Sequence, residues 1–408
     1  MGQAAIQMSK KPSSRRTIDK GRVIPPPHFA PGRIRVTRPL SRGSSREAYE
    51  KFLAFVFDHG QVYNSYLATE PERELFWSES QQGVISYVRR GKHVFCGGGL
   101  IAPAEHREQL LQEFLEFTRE LSLRPVFFDI QDDVVDLFRD AGFKATKIGE
   151  DALVDLESCS FAGKPYEWVR RQTNYCKRNG LVTAEVRREE LSPAEWSEIL
   201  AEVHEVATAS ISDKPQSKEM RFVVGRLGDH EMGLRRLFVA RSDHGRGRIE
   251  GFVVLNPMNG GTRWATEIYR YCPDAVRGTI AFVMHQLMEQ LKAEGVEQVG
   301  LCMIPGRNCE QRIEGDAWLI RSVFTVSKKL LNGVFDAAGL EHFKTRFRPR
   351  FENLYVCTPP VPSIGSFWTF FQITGVMHLD LRSLLRVASN RFQKREVRKK
   401  LSRSIGSE

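Results

Sequence analysis

Apolar residues recur at intervals of three and four in several long segments of the chain, and this spacing predicts amphipathic helices. The clearest predicted helices cover residues 47–60, 104–123, 165–180, 193–209 and 276–294. Shorter runs rich in Val, Ile, Phe and Tyr lie between them and end at glycines or charged turns, which is typical of strands. Because short strands alternate with long helices, the pattern predicts a mixed α/β fold.

The predicted elements follow the same order in both halves of the chain. In the first half, an antiparallel meander over 74–103 leads through a helix to a short apolar strand at 124–130. A pair of strands is predicted after it, over 144–157. In the second half, three strands over 234–271 lead through a helix of about five turns to a strand at 296–304. The periodicity by itself indicates only one mixed α/β layer followed by another.

Charge separates the two ends of the chain from its body. Residues 1–46 carry eleven Lys or Arg against one Asp, and residues 382–408 carry nine against two acids. The net charge of +10 therefore belongs to the two ends, and the segment between them is acidic. We expect any anionic partner to meet the ends first. The predicted division is a disordered basic arm, an N-terminal domain, a C-terminal domain and a basic tail, at 1–44, 45–160, 161–360 and 361–408.

Cysteine spacing and the N-terminal sequence indicate where the protein is kept. The seven cysteines form no CxxC pair and have no nearby histidine at metal-ligand spacing, so we expect reduced thiols and no metal site. The N terminus lacks the apolar segment of a signal peptide, and no window reaches the ~18 apolar residues of a spanning helix. The sequence therefore predicts a cytoplasmic protein.

The strand that ends near residue 271 carries side chains suited to chemistry. Glu267, Arg270 and Tyr271 stand at its end. A carboxylate there can hold an ammonium group or take the proton of an attacking hydroxyl, and an arginine can clamp a phosphate. Residues three apart on a regular strand face opposite sides, so Glu267 and Arg270 converge only if the strand bends or bulges. A surface ion pair is the alternative interpretation.

A second motif, GLEHFKTRFRPRFENLY, covers residues 339–355. Its cations alternate with phenylalanines in a rhythm of two residues; they are Lys344, Arg346, Arg348 and Arg350. Such a strip can bind phosphate on one face and pack on the other. A basic edge strand that avoids aggregation would show the same pattern.

Together these motifs resemble the catalytic domain of the bacterial phosphatidylglycerol lysyltransferases, also called aminoacyl-phosphatidylglycerol synthases. The Asp-x-x-Arg motif of that family corresponds to Glu267 and Arg270, and its functional lysine corresponds to Lys344. The run Gly149-Glu150-Asp151-Ala152 resembles the family's Gly-Glu-Glu-Ala at the join between the halves. The resemblance extends from about residue 50 to 358. The family's Trp-Leu after the helix at 193–208 is missing, although Glu219 is retained.

The resemblance implies two tandem copies of the Gcn5-related N-acetyltransferase fold, each a mostly antiparallel splayed sheet flanked by helices. It implies a C-terminal catalytic domain that transfers an amino acid from aminoacyl-tRNA to a lipid hydroxyl, by direct transesterification without a cofactor. The implied catalytic residues are Glu267, Arg270 and Lys344. The candidate substrate-binding residues are Tyr271, Arg346, Arg348, Lys164, Arg170, Arg171 and Glu219. Lys164, Arg170 and Arg171 lie on or before one predicted helix, where they can contact the tRNA backbone or form a solvated face.

Two other functions remain open at this point. An acyl-CoA-dependent N-acyltransferase of the same fold would hold pyrophosphate in a glycine-rich loop. The corresponding segment here, residues 273–281, contains a single glycine, Gly278. A non-catalytic lipid- or RNA-binding module would follow if Glu267 and Lys344 were separated and exposed. Binding of CoA would favour the first alternative.

The C-terminal tail contains the segment with which the chain is expected to reach a membrane. Residues 364–379 are apolar and aromatic but too short to span a bilayer, and a basic run over 382–403 follows. This pairing suits an interfacial helix on anionic phospholipid, where each basic residue contributes about 1 kcal/mol. We therefore expect a peripheral location at the inner face of the cell membrane. A terminal helix that caps the core is the alternative.

Overall fold

The computed structural model describes residues 36–37, 46–212, 224–228, 232–310, 315–317, 320–322, 337–360 and 369. Three sequence predictions lie outside these residues. They are most of the basic arm at 1–44, the candidate Glu219, and the tail with its interfacial segment at 364–379 apart from residue 369.

The described elements follow the predicted order. The α-helices are α1 (Arg46–His59), α2 (Arg107–Glu120), α3 (Val135–Asp140), α4 (Glu167–Arg178), α5 (Pro193–Ser212), α6 (Thr279–Ala293) and α7 (Ala337–Thr345). The strands of the first half are β1 (Val36–Thr37), β2 (Glu74–Trp77), β3 (Val84–Arg90), β4 (His93–Cys96), β5 (Arg124–Gln131) and β6 (Lys144–Asp155). Those of the second are β7 (Val182–Val186), β8 (Arg236–Arg241), β9 (Ile249–Met258), β10 (Arg263–Tyr271), β11 (Gln298–Pro305) and β12 (Arg350–Thr358).

All of these strands belong to one sheet, in the order β1-β2-β3-β4-β5-β12-β6-β11-β10-β9-β8-β7. Two neighbouring pairs are parallel, β4 with β5 and β10 with β11, and each pair is connected through a helix. All other described pairings are antiparallel. The predicted mixed α/β class with a mostly antiparallel sheet is therefore confirmed.

Two sequence predictions about strands are wrong. The pair predicted over 144–157 is the single strand β6, which continues through Gly149. A Cβ at Gly149 would lie 2.5 Å from the Ile304 carbonyl oxygen of β11, so glycine is required where the two strands approach closely. The basic segment at 344–350 is not an edge strand. Lys344 lies in helix α7, Arg348 has a φ of +55°, and β12 is paired on both sides.

Helices cover both faces of the second-half sheet. Helix α6 packs on one face with Phe282 and Leu287 in the largest apolar cluster, and it is buried over most of its length. This burial explains why its side chains are apolar around the helix. Helix α5 packs on the opposite face through Trp196 and Val203, against Phe252 of β9. The polar side chains described below are therefore mounted on a packed scaffold.

Candidate functional site

A β-bulge in β10 brings Glu267 and Arg270 to the same face of the sheet. The pairing of β10 with β9 shifts between Thr266 and Ile268, which makes Glu267 the extra residue. Ile268 packs in the apolar cluster of α5 that contains Trp196 and Phe252. Ala265 packs with Met258, which alternation along β9 places on the same face as Phe252. Alternation then places Glu267 and Arg270 on that face too. The bulge that the sequence motif required is present.

Glu267 is a buried carboxylate that pairs with an arginine outside the motif. Its side chain is 2% exposed, its Oε1 atom accepts a hydrogen bond from the Gly225 backbone N–H, and its Oε2 atom lies 3.4 Å from Nη2 of Arg235. The Arg235 side chain is fully buried and lies 5.0 Å above the Tyr66 ring. Arg270 instead donates to the Tyr269 carbonyl oxygen over 2.8 Å. The interpretation of Glu267 as part of a surface ion pair is therefore wrong.

Lys344 lies buried beside a second bulge, in β11. The pairing of β11 with β6 shifts between Gly300 and Met303, and Cys302 within it has a φ of +63°. The Lys344 ammonium donates to the carbonyl oxygens of Cys302 and Met303, each over 3.0 Å. Burial lowers the pKa of Lys344. The lysine thus holds the bulge in its irregular conformation.

The two bulges adjoin each other where β10 and β11 separate. Their parallel pairing ends at Ala265 and Gly300. The Cys302 thiol donates to the Thr266 carbonyl oxygen over 3.5 Å, and Thr266 directly precedes Glu267. Cys302 therefore links Lys344 to the backbone of the Glu267 bulge, because its carbonyl oxygen accepts from Lys344 and its thiol donates to Thr266. We call this region the bulge site: Glu267, Cys302 and Lys344 with their neighbours.

Sequence reasoning missed Asp151, which lies on β6 opposite Met303. Its side chain is completely buried. Burial raises the pKa of Asp151 to about 7, although Lys344 acts in the opposite direction. The available signal was its place in the Gly149–Ala152 run, which we used only as a family marker.

A third carboxylate, Asp129 of β5, completes the acidic surroundings of Cys302. Asp129 has a φ of +59° and accepts a hydrogen bond of 2.6 Å from the Asn64 amide and another from the Tyr63 hydroxyl. Burial raises the pKa of Asp129 to about 6. Burial also raises the pKa of the Cys302 thiol, on which the charges of Lys344, Asp151, Glu267 and Asp129 all act. The bulge site thus combines three carboxylates with one lysine.

The remaining cations that sequence reasoning selected lie outside the bulge site. The Arg346 guanidinium lies 5.7 Å above the Trp168 ring. Arg348 is exposed and donates to the Pro165 carbonyl oxygen over 3.2 Å, which brings it next to Lys164. Arg170 turns toward the Phe161 carbonyl oxygen, at 2.9 Å. Tyr271 is 46% exposed at the end of β10.

Arg171 lines an open groove of about 790 Å³ along α4. The groove also contains the cations Lys177, Arg178 and Arg277 and the aromatic rings of Trp168 and Tyr175. Sequence reasoning missed Arg277 as a binding residue because it belongs to the loop before α6 and not to α4. We call these six residues the α4 groove.

Aromatic contacts connect the α4 groove with the bulge site. The Trp168 ring lies 6.3 Å from that of Phe343, and Phe343 lies 6.2 Å from Tyr269 of β10. Phe343 directly precedes Lys344 along α7. A ligand in the groove would therefore lie one aromatic layer from the buried lysine.

The place of a CoA pyrophosphate loop is occupied by a side chain of α4. Gly278 caps the N terminus of α6 with a φ of +93°, and a Cβ there would lie 2.4 Å from Oε1 of Gln172. Backbone N–H groups at a helix N terminus need open space in front of them to hold a phosphate. Gln172 occupies that space, in accord with the missing glycines of this loop.

The sequence profile of the family described as phosphatidylglycerol lysyltransferase, C-terminal, matches residues 53–358. The chain belongs to this family. It is 21% identical to a phosphatidylglycerol lysyltransferase of Staphylococcus haemolyticus over 327 residues, which cover 79% of this chain and 36% of the relative. The corresponding Bacillus subtilis protein is 22% identical over 307 residues, or 75% of this chain and 34% of that protein. The chain thus spans about a third of these phosphatidylglycerol lysyltransferases.

Two solved structures have a fold similar to that of this chain. One is described as the C-terminal domain of a lysylphosphatidylglycerol synthetase from Agrobacterium fabrum, with a TM-score of 0.64, 22% identity, and coverage of 76% of this chain and 92% of that chain. The other is L-PGS from Bacillus licheniformis, with a TM-score of 0.66, 21% identity, and coverage of 80% and 96%.

The family match includes the bulge site and the α4 groove, since both lie between residues 53 and 358. Across the described ranges, no helix has the length and apolar character needed to cross a membrane. The same part of the chain contains no cluster of three side chains that could hold a metal ion.

Proposed function

We propose that this protein transfers an amino acid from aminoacyl-tRNA to the hydroxyl of a phosphatidylglycerol-type lipid at the membrane surface. One observation carries the proposal: a groove with four cations and two aromatic rings lies one aromatic layer from a buried lysine and three carboxylates. Membership of the phosphatidylglycerol lysyltransferase family supports the choice of the lipid acceptor.

The residues of the bulge site can perform a direct transesterification. The ester of aminoacyl-tRNA is already activated, so the protein has to orient the lipid hydroxyl and stabilise the developing oxyanion. We propose that Oε2 of Glu267, which faces Arg235 at 3.4 Å, accepts the hydrogen bond of the lipid hydroxyl. We propose that the ammonium of Lys344 supplies positive charge near the reacting carbonyl and that Arg270 binds the lipid phosphate. The hydroxyl proton leaves with the ribose oxygen.

The α4 groove suits the phosphate backbone and bases of the tRNA acceptor end. Cations neutralise phosphates, and exposed aromatic rings stack on unpaired bases. We propose that Arg171 acts in this groove and that Lys164, Arg346 and Arg348 extend its charge past the N terminus of α4. Arg170 contributes by holding the segment before the helix through the Phe161 carbonyl oxygen. The basic tail is proposed to dock on anionic phospholipid.

The transfer itself is tested by incubating the full-length protein with labelled aminoacyl-tRNA pools and vesicles of phosphatidylglycerol. We expect label to enter the lipid fraction in proportion to protein and to disappear after the tRNA is deacylated beforehand. Free amino acid with ATP should give no product, because the ester supplies the activation. If no aminoacyl-tRNA labels any lipid in the presence of membranes, the proposed function is wrong.

The role of the groove is tested by changing Arg171, Lys177 and Arg277 together to glutamine. We expect tRNA affinity at 150 mM salt to fall at least about tenfold, and the slope of log affinity against log salt to lose about two to three units. Filter binding over a salt series measures both quantities.

A matched control removes the same charge at the turn between β3 and β4, by changing Arg89, Arg90 and Lys92 to glutamine. These residues are exposed and lie on the other half of the sheet. We expect the control to retain most of the affinity and the salt slope of the unmodified protein. Equal losses in the two triple variants would show that net charge, and not the groove, governs binding.

A further inference from the structure

Five neighbouring strands reach a common edge of the sheet in its first half. Arg90 of β3 lies opposite His93 of β4, which lies opposite Arg124 of β5. β12 follows β5 in the sheet, and its Thr358 lies opposite Lys144 of β6. Neighbouring strands lie about 4.8 Å apart, so this row of strand ends is about 19 Å long. Residues that are distant in sequence thus form one continuous surface.

This edge is basic, although the segment between the two ends of the chain is acidic. Lys92 lies in the turn between β3 and β4, and the Arg89 side chain reaches the same turn, where it donates to the Gly91 carbonyl oxygen over 3.2 Å. The Arg124 backbone N–H donates to the Lys92 carbonyl oxygen over 2.7 Å and ties the start of β5 to that turn. We call this surface the cationic edge; its basic residues are Arg89, Arg90, Lys92, Arg124 and Lys144.

The charges of the cationic edge are available to an anionic partner. Lys144 is half-buried and the other four basic residues are exposed. Within the part of the chain that the structure describes, none of the five forms an ion pair. Two acids are near in sequence, Glu120 at the end of α2 and Asp140 at the end of α3. Five basic residues against two acids leave the edge with net positive charge.

An exposed leucine adjoins the cationic edge. Leu121 is 48% exposed in the loop between α2 and β5, three residues before Arg124. Among the described residues, the other large hydrophobic side chains with such exposure are Tyr175, which belongs to the α4 groove, and Tyr271. Aliphatic side chains enter the acyl boundary of a bilayer, whereas aromatic rings stack on bases. An aliphatic side chain beside cations therefore favours a lipid surface over a nucleic acid.

The last described strand also ends at this edge. β12 finishes at Thr358, opposite Lys144, and Pro360 is exposed two residues later. Residues 361–408 follow along the chain and include the apolar segment and basic run that are proposed to dock on anionic phospholipid. A tail that starts here brings the cationic edge to the same bilayer. Two linked contacts with one surface bind far more tightly than either contact alone.

We propose that the cationic edge docks the folded body on a bilayer that contains anionic phospholipid, with Leu121 at the acyl boundary. The inference rests on the proposed function for its lipid acceptor, and it names the face of the protein that meets the lipid. It also separates the two macromolecular partners. The bilayer meets the first half of the sheet, whereas the α4 groove lies on the second half, where α4 packs against α6.

Vesicle binding tests the cationic edge without tRNA and without transfer. Full-length protein is sedimented with vesicles of mixed phosphatidylglycerol and phosphatidylcholine, and with vesicles of phosphatidylcholine alone. Each basic residue near an anionic surface raises affinity about fivefold, so changing Arg89, Arg90 and Lys92 to glutamine should weaken binding to the mixed vesicles at least about tenfold. The matched control changes Arg171, Lys177 and Arg277 to glutamine. It removes the same charge and should retain most of the vesicle affinity.

Two further measurements localise the contact. Leu121→Ser should lower the affinity for mixed vesicles about threefold or more and leave the affinity for tRNA unchanged. Hydrogen exchange of the unmodified protein should slow in segments 89–93 and 119–124 when mixed vesicles are added, and stay unchanged in α4. The substituted side chains of the edge are exposed, so thermal melting followed by circular dichroism should show that the variants keep the stability of the unmodified protein.

Equal losses of vesicle affinity in the two triple variants would show that net charge alone governs binding, and would overturn the proposal. Unchanged vesicle affinity in the edge variant would also overturn it, because the tail would then suffice. A loss of tRNA affinity in the edge variant as large as that of the groove variant would make the edge a nucleic-acid surface instead.

The outcomes distinguish this inference from the proposed function. Transfer of label to lipid, together with unchanged vesicle binding by the edge variant, would refute the docking surface and leave the proposed function standing. Vesicle binding that depends on the edge, without transfer from any aminoacyl-tRNA, would refute the proposed function and leave the docking surface standing.

Discussion

Replacing Arg235 by methionine is expected to lower the free energy of unfolding by about 3–5 kcal/mol. The substitution leaves the carboxylate of Glu267 buried without its facing cation, because both side chains are almost completely inaccessible. It also removes the donor to the Arg226 carbonyl oxygen, at 2.7 Å. Urea denaturation followed by far-ultraviolet circular dichroism measures the loss.

A double-mutant cycle isolates the pair. We expect Glu267→Gln alone to cost less than Arg235→Met, and the double variant to be more stable than the sum of the single losses implies. The double variant has no charge at position 267, and Glu70, the other carboxylate beside Arg235, still faces Arg226. The neighbouring Arg236 is a matched control. Its partners Glu185 and Glu294 retain Arg187 nearby and some solvent, so Arg236→Met should cost less than Arg235→Met. A loss below about 1 kcal/mol for Arg235→Met would contradict the buried pair.

Replacing Lys344 by methionine is expected to lower the rate of amino acid transfer at least about 100-fold. The change removes the cation of the bulge site and releases the carbonyl oxygens of Cys302 and Met303 that it holds. Because Lys344 opposes the effect of burial on Asp151, the pKa of Asp151 should also rise further. Single-turnover transfer to labelled lipid, with protein in excess over aminoacyl-tRNA, measures the chemical step.

Lys292 provides the matched control for this experiment. It too donates to two backbone carbonyl oxygens, those of Cys159 at 2.5 Å and Glu157 at 3.3 Å, but it lies at the C-terminal end of α6. Lys292→Met should lose a comparable hydrogen-bonding contribution to stability and retain the transfer rate within a few-fold. A Lys344→Met variant that keeps more than a tenth of the rate would show that the lysine only supports the bulge.

The reach of sequence reasoning differs between elements and sites. Helices α2 and α6 follow from spacings within about four turns, so their positions could be predicted within a few residues. The candidate functional side chains of the two motifs could also be predicted, because each motif is continuous along the chain. Their partners could not, because Arg235 lies more than thirty residues from Glu267 and belongs to no recognisable pattern with it.

The amino-acid sequence by itself determined the mixed α/β class, the repeated order of elements and the family, because these depend on local periodicity and on motifs that are continuous along the chain. Only the tertiary structure decided that β12 lies inside the sheet, that a bulge in β10 turns the buried Glu267 toward Arg235, and that Lys344 and Asp151 are buried beside a second bulge in β11. Strand register and the burial of a charge are set by neighbours that are distant in sequence. Their free energies depend on those long-range contacts and cannot be read from any single segment.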